Sequence, residues 1–168
     1  MKLRPLQLTW CFAFLMTLAL ISHGYWLEFY QGIMPCPLCS LQRFAMILLS
    51  ILFLWGAIVS TKKWAFHLFI AACSSITAFL GIWLAARQIW LQWSPADKKE
   101  ACGVSLQYLL KVLPMDKALL KALDGSAECA IVTWSFLHMS LAEWSCLFFI
   151  FFLGLSLIQG RRACVRTR

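Results

Sequence analysis

Four long runs without Asp, Glu, Lys or Arg dominate the chain. They cover residues 6–27, 44–61, 64–86 and 144–160. A membrane-spanning helix needs about 20 mostly apolar residues, with a range of about 17–25. The pattern therefore predicts a bundle of four transmembrane helices. A short loop over about 28–43 joins the first two, and a long loop over about 87–143 joins the last two.

The long loop has a helical pattern of its own. Met115, Leu119 and Leu123 recur at i, i+4 and i+8, and the charged residues of the segment lie away from that face. Pro114 can begin such a helix and Gly125 can end it. The pattern predicts short amphipathic helices, which either lie on the membrane surface or pack on the protein as a lid.

The composition agrees with a membrane protein. Of the 168 residues, 62% are hydrophobic and only 13% are charged, against about 45–50% and about 25% in average soluble domains. A soluble globule of this size could not bury so much apolar surface. This argues against a soluble enzyme, a disordered chain and a nucleic-acid-binding module. We expect a single all-α membrane domain over residues 1–168, in contact with a lipid bilayer.

The net charge of +8 is confined to three short segments outside the apolar runs. These segments lie before the first run, between the second and third, and after the last; their basic residues are Lys2, Arg4, Lys62, Lys63, Arg161, Arg162, Arg166 and Arg168. The positive-inside rule assigns such segments to the cytoplasm. Both termini are therefore predicted to be cytoplasmic, and both loops are predicted to lie on the opposite side.

The first run has an alternative interpretation as a secretory signal. Ser22-His23-Gly24 loosely resembles a small-x-small cleavage site after an apolar stretch. The run is longer than the usual 7–15 apolar residues of such signals. Cleavage would also leave three spans, so we favour a retained first helix.

The predicted topology sorts the eight cysteines. The short outer loop carries Cys36 and Cys39, the long outer loop Cys102 and Cys129, the spans Cys11, Cys73 and Cys146, and the basic tail Cys164. Disulfides persist in oxidising compartments such as the bacterial periplasm. Two outer pairs therefore predict two disulfides. Alternatives are a loop-stabilising bond and a metal site, but the paired C-x-x-C spacing of zinc ribbons is absent.

The Cys36-Pro37-Leu38-Cys39 segment is a C-x-x-C motif, a type in which one thiol is often unusually acidic. It opens directly into the second run, so a helix N-terminus is expected at or just after Cys39. A thiolate there would gain from the helix dipole and from Arg43, one turn later. A second interpretation of Arg43 is a side chain that snorkels to the membrane interface.

At these residues the chain resembles the DsbB family of bacterial inner-membrane disulfide-generating proteins. The matching segments are Met34-Pro35-Cys36-Pro37-Leu38-Cys39-Ser40-Leu41-Gln42-Arg43, Arg87-Gln88-Ile89-Trp90-Leu91-Gln92, Ser94-Pro95-Ala96-Asp97 before Cys102-Gly103, and Glu128-Cys129 before Trp134-Ser135-Phe136-Leu137. The P-C-P-L-C-x-x-Q-R block is specific by itself. The resemblance extends over essentially the whole chain and implies one inner-membrane domain with four spans and a long periplasmic loop.

The resemblance implies an enzyme, a quinone-dependent protein-dithiol oxidoreductase that supplies disulfides for protein folding. A reduced periplasmic thioredoxin-fold oxidase of the DsbA type would attack Cys102, and Cys129 would then be passed to Cys36. Cys39 would be left as a thiolate beside a membrane quinone, ubiquinone or menaquinone, and Arg43 would stabilise it. Quinol would carry the electrons onward to the respiratory chain.

Three further residues are implied at the quinone site. Trp134 and Trp144 correspond to a region that lines the headgroup in the family, although both are also typical of an interfacial aromatic belt. The family often has His where Gln88 stands and Gly where His138 stands. An amide cannot protonate a quinone, so Gln88 is expected only to hydrogen bond.

Two other classes of protein compete with this interpretation. One is a membrane metal-handling or sensing protein that uses the four outer cysteines as soft ligands. The other is a structural scaffold whose disulfides are inert. The oxidase interpretation expects no metal site, and we favour it because it uses both cysteine pairs and their place at a membrane face.

Overall fold

The structure is a computed structural model that describes residues 5–32, 35–58, 64–93, 111–112, 114–124 and 135–165. Its elements are helix α1 (Pro5–Gln31), α2 (Pro37–Ile58), α3 (Trp64–Trp93), α4 (Met115–Asp124), strands β1 (Ser135–Phe136) and β2 (Met139–Ser140), and helix α5 (Leu141–Val165). Helices α1, α2, α3 and α5 are long and apolar enough to cross a membrane. The prediction of an all-α, four-helix membrane protein is confirmed.

The long helices continue past the uncharged runs from which they were predicted. Helix α2 begins at Pro37 and so includes Arg43, and helix α3 runs on to Trp93 and so includes Arg87. A charged side chain ends a hydrophobic run without ending a helix, because only backbone hydrogen bonds define the helix. The expectation of a helix start at or just after Cys39 is wrong, because α2 already begins at Pro37. Proline is favoured at the first helical position.

The core lies between α1, α2, α3 and α5 and is rich in aromatic rings. Trp10 of α1 and Phe53 of α2 have ring centroids 5.6 Å apart, and Phe53 lies 5.6 Å from Phe152 of α5. All three side chains are fully buried. Much of the outer surface is apolar and exposed, as a helix bundle in a bilayer requires.

Helices α3 and α5 are the most extensively packed of the described helix pairs. Small residues allow these two helices to approach closely. Gly81 of α3 faces Phe149 of α5, and a Cβ added at Gly81 would overlap the phenyl ring. Phe149 is fully buried, so its ring can move away from an added methyl group only by repacking against its neighbours. Close approach of two membrane helices commonly depends on such small residues.

Gly81→Ala is therefore expected to destabilise the protein by about 1–3 kcal/mol, the usual cost of overpacking a core. Thermal unfolding of the purified chain in detergent would show this as a lower Tm. Gly154→Ala is the matched control, because a Cβ there meets nothing within 4 Å. Equal melting of the two variants would contradict this account of the α3–α5 contact.

A tight hairpin leads into α5. Its strands pair antiparallel, with Ser135 opposite Ser140 and Phe136 opposite Met139. The two turn residues, Leu137 and His138, both have positive φ, 53° and 63°. A two-residue hairpin of this twist requires positive φ at both positions, which glycine adopts more easily than other residues. The backbone thus gives a physical reason why glycine would suit position 138.

The start of α5 is held by reciprocal capping. The Ser140 amide donates to the Glu143 carboxylate at 2.6 Å, and the Glu143 amide approaches Ser140 Oγ at 3.4 Å. This is the capping box of a serine followed three residues later by a glutamate. Ser140 Oγ also donates to Gln92 Oε1 at 3.0 Å, so the cap is tied to the end of α3.

Candidate active site

The C-x-x-C motif forms the first turn of α2. The Ser40 amide donates to the Cys36 carbonyl at 3.0 Å, which identifies Cys36 as the capping residue before Pro37. The Cys39 amide donates to Cys36 Sγ at 3.2 Å. A side chain that accepts from the third helical amide is the usual N-cap arrangement. Both sulfurs therefore lie at the positive end of the helix dipole, which favours negative charge on them.

The two sulfurs of the motif are in contact. Cys36 Sγ and Cys39 Sγ are 2.8 Å apart. Cys36 is buried, with 4% of its surface exposed, whereas Cys39 is partly exposed. Side-chain motion alone can close or open a bond between these sulfurs, because their separation is already close to bonding distance.

Gln88 of α3 reaches across to this dithiol. Its Nε2 lies 3.2 Å from Cys39 Sγ and 3.7 Å from Cys36 Sγ. Its Oε1 accepts a hydrogen bond from Gln42 Nε2 at 2.8 Å and lies 3.6 Å from Cys39 Sγ. The structure thus brings Gln88 to the sulfurs. It adds Gln42, which sequence reasoning did not single out although it lies three residues after Cys39.

Arg43 is held by three groups from the end of α1. It forms an ion pair with Glu28, donates to the Gly24 carbonyl at 3.0 Å, and lies over the ring of Tyr25 at 5.2 Å. The ion pair is about three-quarters buried on the Arg43 side. Glu28 was missed at the sequence level. A signal was present, because it is the only acidic residue of α1.

A cavity of about 310 Å³ opens beside Cys39 and Arg43. Its walls come from α1, α2, α3, β1 and α5 and are mostly apolar; the lining residues are Leu20, Ile21, His23, Gly24, Cys39, Gln42, Arg43, Met46, Gln88, Phe136, Leu141, Ala142, Trp144, Ser145, Phe148 and Phe149. Small-molecule sites typically have volumes of about 300–1,000 Å³ and a few polar groups that orient the ligand. Here the polar groups gather around Cys39.

Of the two tryptophans predicted at the quinone site, Trp144 lines this cavity. Its indole Nε1 donates to the Phe136 carbonyl at 3.1 Å, which ties α5 to the hairpin. Its ring lies 6.2 Å from Phe136 and 6.1 Å from Phe148. Predicted site residues Trp134, Cys102 and Cys129 lie outside the described residues. His138 is exposed in the hairpin turn.

The C-terminal end of α4 packs on the dithiol region. Leu123 contacts the buried pair Cys36 and Leu38, and the Leu123 carbonyl accepts from Arg87 Nε at 3.4 Å. Met115, at the other end of α4, is 79% exposed. The amphipathic helix predicted in the long loop is therefore present, and one end of it covers the protein. The remaining loop residues, 94–110, 113 and 125–134, lie outside the described part.

Among the described residues, no group of three or more His, Cys, Asp or Glu side chains is arranged to hold a metal ion. The ligand set of the metal-site alternative included Cys102 and Cys129, which are not among these residues. In the described geometry the two sulfurs accept from the Cys39 backbone amide and from the Gln88 side-chain amide.

Fold and site define the class of this protein: a polytopic helical membrane protein with a C-x-x-C pair at a helix N-terminus. The family model of "Disulfide bond formation protein DsbB" matches residues 6–159. A disulfide bond formation protein B of Nitrosococcus oceani is 36% identical over 160 residues, 94% of each chain. One of Marinobacter nauticus is 39% identical over 150 residues, 88% of this chain and 89% of the relative.

A third relative, a disulfide bond formation protein B of Hahella chejuensis, is 37% identical over 139 residues, 83% of this chain and 84% of the relative. The chain belongs to the DsbB family. It is a multi-pass membrane protein of the disulfide-forming oxidoreductases. The family resemblance inferred from the C-x-x-C block and the loop segments is thus confirmed.

Proposed function

We propose that this chain reoxidises a periplasmic thioredoxin-fold thiol oxidase of the DsbA type and passes two electrons through two cysteine pairs to a membrane quinone. The observation that carries the proposal is the contact between Cys36 Sγ and Cys39 Sγ at the start of α2, with Cys39 lining the apolar cavity beside Arg43. The bacterial inner membrane, with both termini cytoplasmic, is the location that this chemistry and the basic segments favour.

The residues of the cavity fit a quinone headgroup. Trp144 and Phe148 provide flat apolar surface, while Arg43 and Gln88 provide hydrogen-bond donors near Cys39. A quinone carries two carbonyl oxygens on an apolar ring, so it requires both kinds of wall. When bound, it accepts two electrons and two protons and leaves as quinol.

Electrons enter at the second cysteine pair in this proposal. The partner's thiolate attacks Cys102, the Cys102–Cys129 bond breaks, and Cys129 leaves as a thiolate. Cys129 then attacks Cys36, the Cys36–Cys39 bond breaks, and Cys39 leaves as a thiolate. Each exchange forms one sulfur–sulfur bond and breaks one, so no external oxidant is needed up to this point.

The cycle closes with the partner oxidised. The partner's second thiol displaces Cys102, which returns to Cys129 and releases Cys36. The partner has then lost two electrons and two protons, and Cys36 and Cys39 form a dithiol. These two residues give the two electrons to the quinone, with two protons, and their disulfide is restored.

The position of α4 supports the exchange between the two loops. Leu123 packs against Cys36 and Leu38, and Cys129 follows only six residues later. Six extended residues span at most about 20 Å. Cys129 is thus tethered within reach of Cys36, whereas Cys39 lines the cavity. This division matches an entry sulfur and an exit sulfur.

Arg43→Ala is expected to raise the KM for quinone by about 10- to 100-fold, the range that corresponds to losing one hydrogen bond from a charged group. Its charge favours a thiolate at Cys39 and negative charge developing on a quinone oxygen. Quinone titrations at saturating dithiol measure this KM. Arg161→Ala, on the exposed distal end of α5, is the control. An unchanged KM would remove Arg43 from the quinone site.

The proposed function is tested with the purified full chain in detergent, using dithiothreitol as dithiol and short-chain ubiquinone or menaquinone as acceptor. We expect dithiol oxidation above the protein-free background, with one quinol formed per dithiothreitol disulfide. Without quinone, the chain should not turn over catalytically. Stoichiometric metal in the purified chain together with no quinone reduction would favour the metal-handling alternative. Inert disulfides without metal would favour the scaffold.

A further inference from the structure

The buried side-chain amides of Gln42 on α2 and Gln88 on α3 lie beside the Cys36–Cys39 pair. We propose that Gln88 is a catalytic hydrogen-bond donor to the Cys39 thiolate and that Gln42 is the positioning residue that orients it. This inference rests on the proposed function in one respect, since it specifies how the exit sulfur of that site is stabilised. Neither amide bears a proton that titrates in the physiological range.

The orientation of Gln88 is determined by its oxygen. Gln42 Nε2 donates to Gln88 Oε1 at 2.8 Å, so reversing the Gln88 amide alone would set two NH₂ groups against each other. With the oxygen held, Gln88 Nε2 faces the sulfurs, 3.2 Å from Cys39 and 3.7 Å from Cys36. An amide nitrogen carries two donor hydrogens, enough to serve both sulfurs.

Burial makes this contact strong. Gln88 and Gln42 are only 4% and 5% exposed. Water competes little for their polar atoms, and a hydrogen bond in such surroundings is electrostatically stronger than one in water. A buried amide that faced an apolar neighbour would lose its hydrogen bonds to water and gain none in their place, which would destabilise the protein. The sulfur of Cys39 is the acceptor that satisfies this donor.

The two sulfurs have different donors. The nearest nitrogen donor to Cys36 Sγ is the backbone amide of Cys39 at 3.2 Å, whereas the nearest to Cys39 Sγ is Gln88 Nε2 at 3.2 Å; Gln88 Nε2 lies farther from Cys36 Sγ, at 3.7 Å. When Cys36 is attacked, Cys39 is the leaving group, and charge appears on the sulfur nearer the Gln88 donor. Better stabilisation of the leaving thiolate speeds the exchange and favours attack at Cys36.

Charged and titratable groups from the surrounding helices already have other contacts. Arg43 of α2 is held by Glu28 of α1, Arg87 of α3 contacts the Leu123 carbonyl, and Glu143 of α5 accepts from the Ser140 amide. His23 of α1 lines the cavity and stacks on Trp26. Helix α4 reaches the dithiol through the apolar Leu123. Among the residues that the structure describes, Gln88 thus supplies the side-chain nitrogen that donates to Cys39 Sγ.

The test measures the acidity of Cys39 in the full chain without quinone or partner. In a Cys36→Ser background, iodoacetamide alkylation of Cys39 is followed by mass spectrometry across a pH series. Gln88→Leu is expected to raise the midpoint of this profile by about one pH unit, which is roughly tenfold less thiolate at neutral pH. Gln42→Leu leaves the donor in place but unoriented, so a smaller upward shift is expected.

Gln92→Leu is the matched control, because Gln92 lies one turn later on α3 and accepts from Ser140 rather than contacting a sulfur. Its midpoint should equal that of the parent. Gln88→His, which restores a donor, should recover at least part of the shift. Unchanged midpoints in both Gln88→Leu and Gln42→Leu would overturn the proposal. Because no quinone is present, that failure is distinguishable from failure of the oxidase function.

Discussion

Cys39→Ser is expected to abolish quinone-dependent thiol oxidation, with a loss in turnover of at least about 10³-fold, as is typical when a covalent nucleophile is removed. Serine keeps the size of the side chain but cannot form the Cys36 disulfide or deliver electrons to the cavity. The measurement is quinol formation by the full chain with dithiothreitol and quinone. Helix α2 should remain folded, since the N-cap sulfur belongs to Cys36.

One residual reaction separates this interpretation from misfolding. A Cys39→Ser chain still carries the Cys102–Cys129 disulfide of the proposal, so it should oxidise one dithiol per chain and then stop. Cys146→Ser is the control, because Cys146 is a partly buried cysteine of α5 outside the cavity lining. It should turn over as the parent does. Continued quinol production by Cys39→Ser would place the electron exit elsewhere.

The second large effect is capture of the partner by Cys129→Ser. Cys102 loses its intramolecular partner in this variant, so its thiolate can open the disulfide of an oxidised thioredoxin-fold oxidase. A Cys102–partner bond forms and the partner's other sulfur leaves as a thiolate. Without Cys129 the complex is not resolved from the membrane side. Only the partner's own second thiol can then displace Cys102, so we expect a disulfide-linked complex on a non-reducing gel that the parent chain does not accumulate.

Peptide mapping of that complex decides the entry point. The bond is expected at Cys102, and the band should disappear with reducing agent and in a Cys102→Ser/Cys129→Ser double variant. A bond mapped to Cys36 would show that the partner enters at the first pair. The burial of Cys36 argues against direct attack by a folded partner, because only 4% of its surface is exposed.

Several features of the site were readable from the chain, and others were not. Arg43 follows Cys39 by one helical turn, so their shared face was predictable. The capping box of Ser140 and Glu143 could also be recognised in the sequence. The last span was nevertheless predicted to begin after it, at residue 144, because Glu143 interrupts the uncharged run. The start of α2 was misjudged because Pro37 can begin a helix as well as interrupt one.

Contacts between distant segments of the chain could be identified only from the tertiary structure. Gln88 meets Cys39 across 49 positions, and Glu28 meets Arg43 across 15. Neither pair has a local periodicity that sequence reasoning could use. Gln42 is a further case, because its role depends on where Gln88 arrives.

The amino-acid sequence alone determined the four apolar helices and the dithiol motif, since hydrophobic length and local spacing are properties of a single segment. Tertiary packing decided which donors meet the sulfurs, what holds Arg43, and where the cavity opens. These depend on how helices approach one another, and that approach is set by small contacts such as Gly81 against Phe149. A one-dimensional pattern records which faces are apolar but not which faces meet.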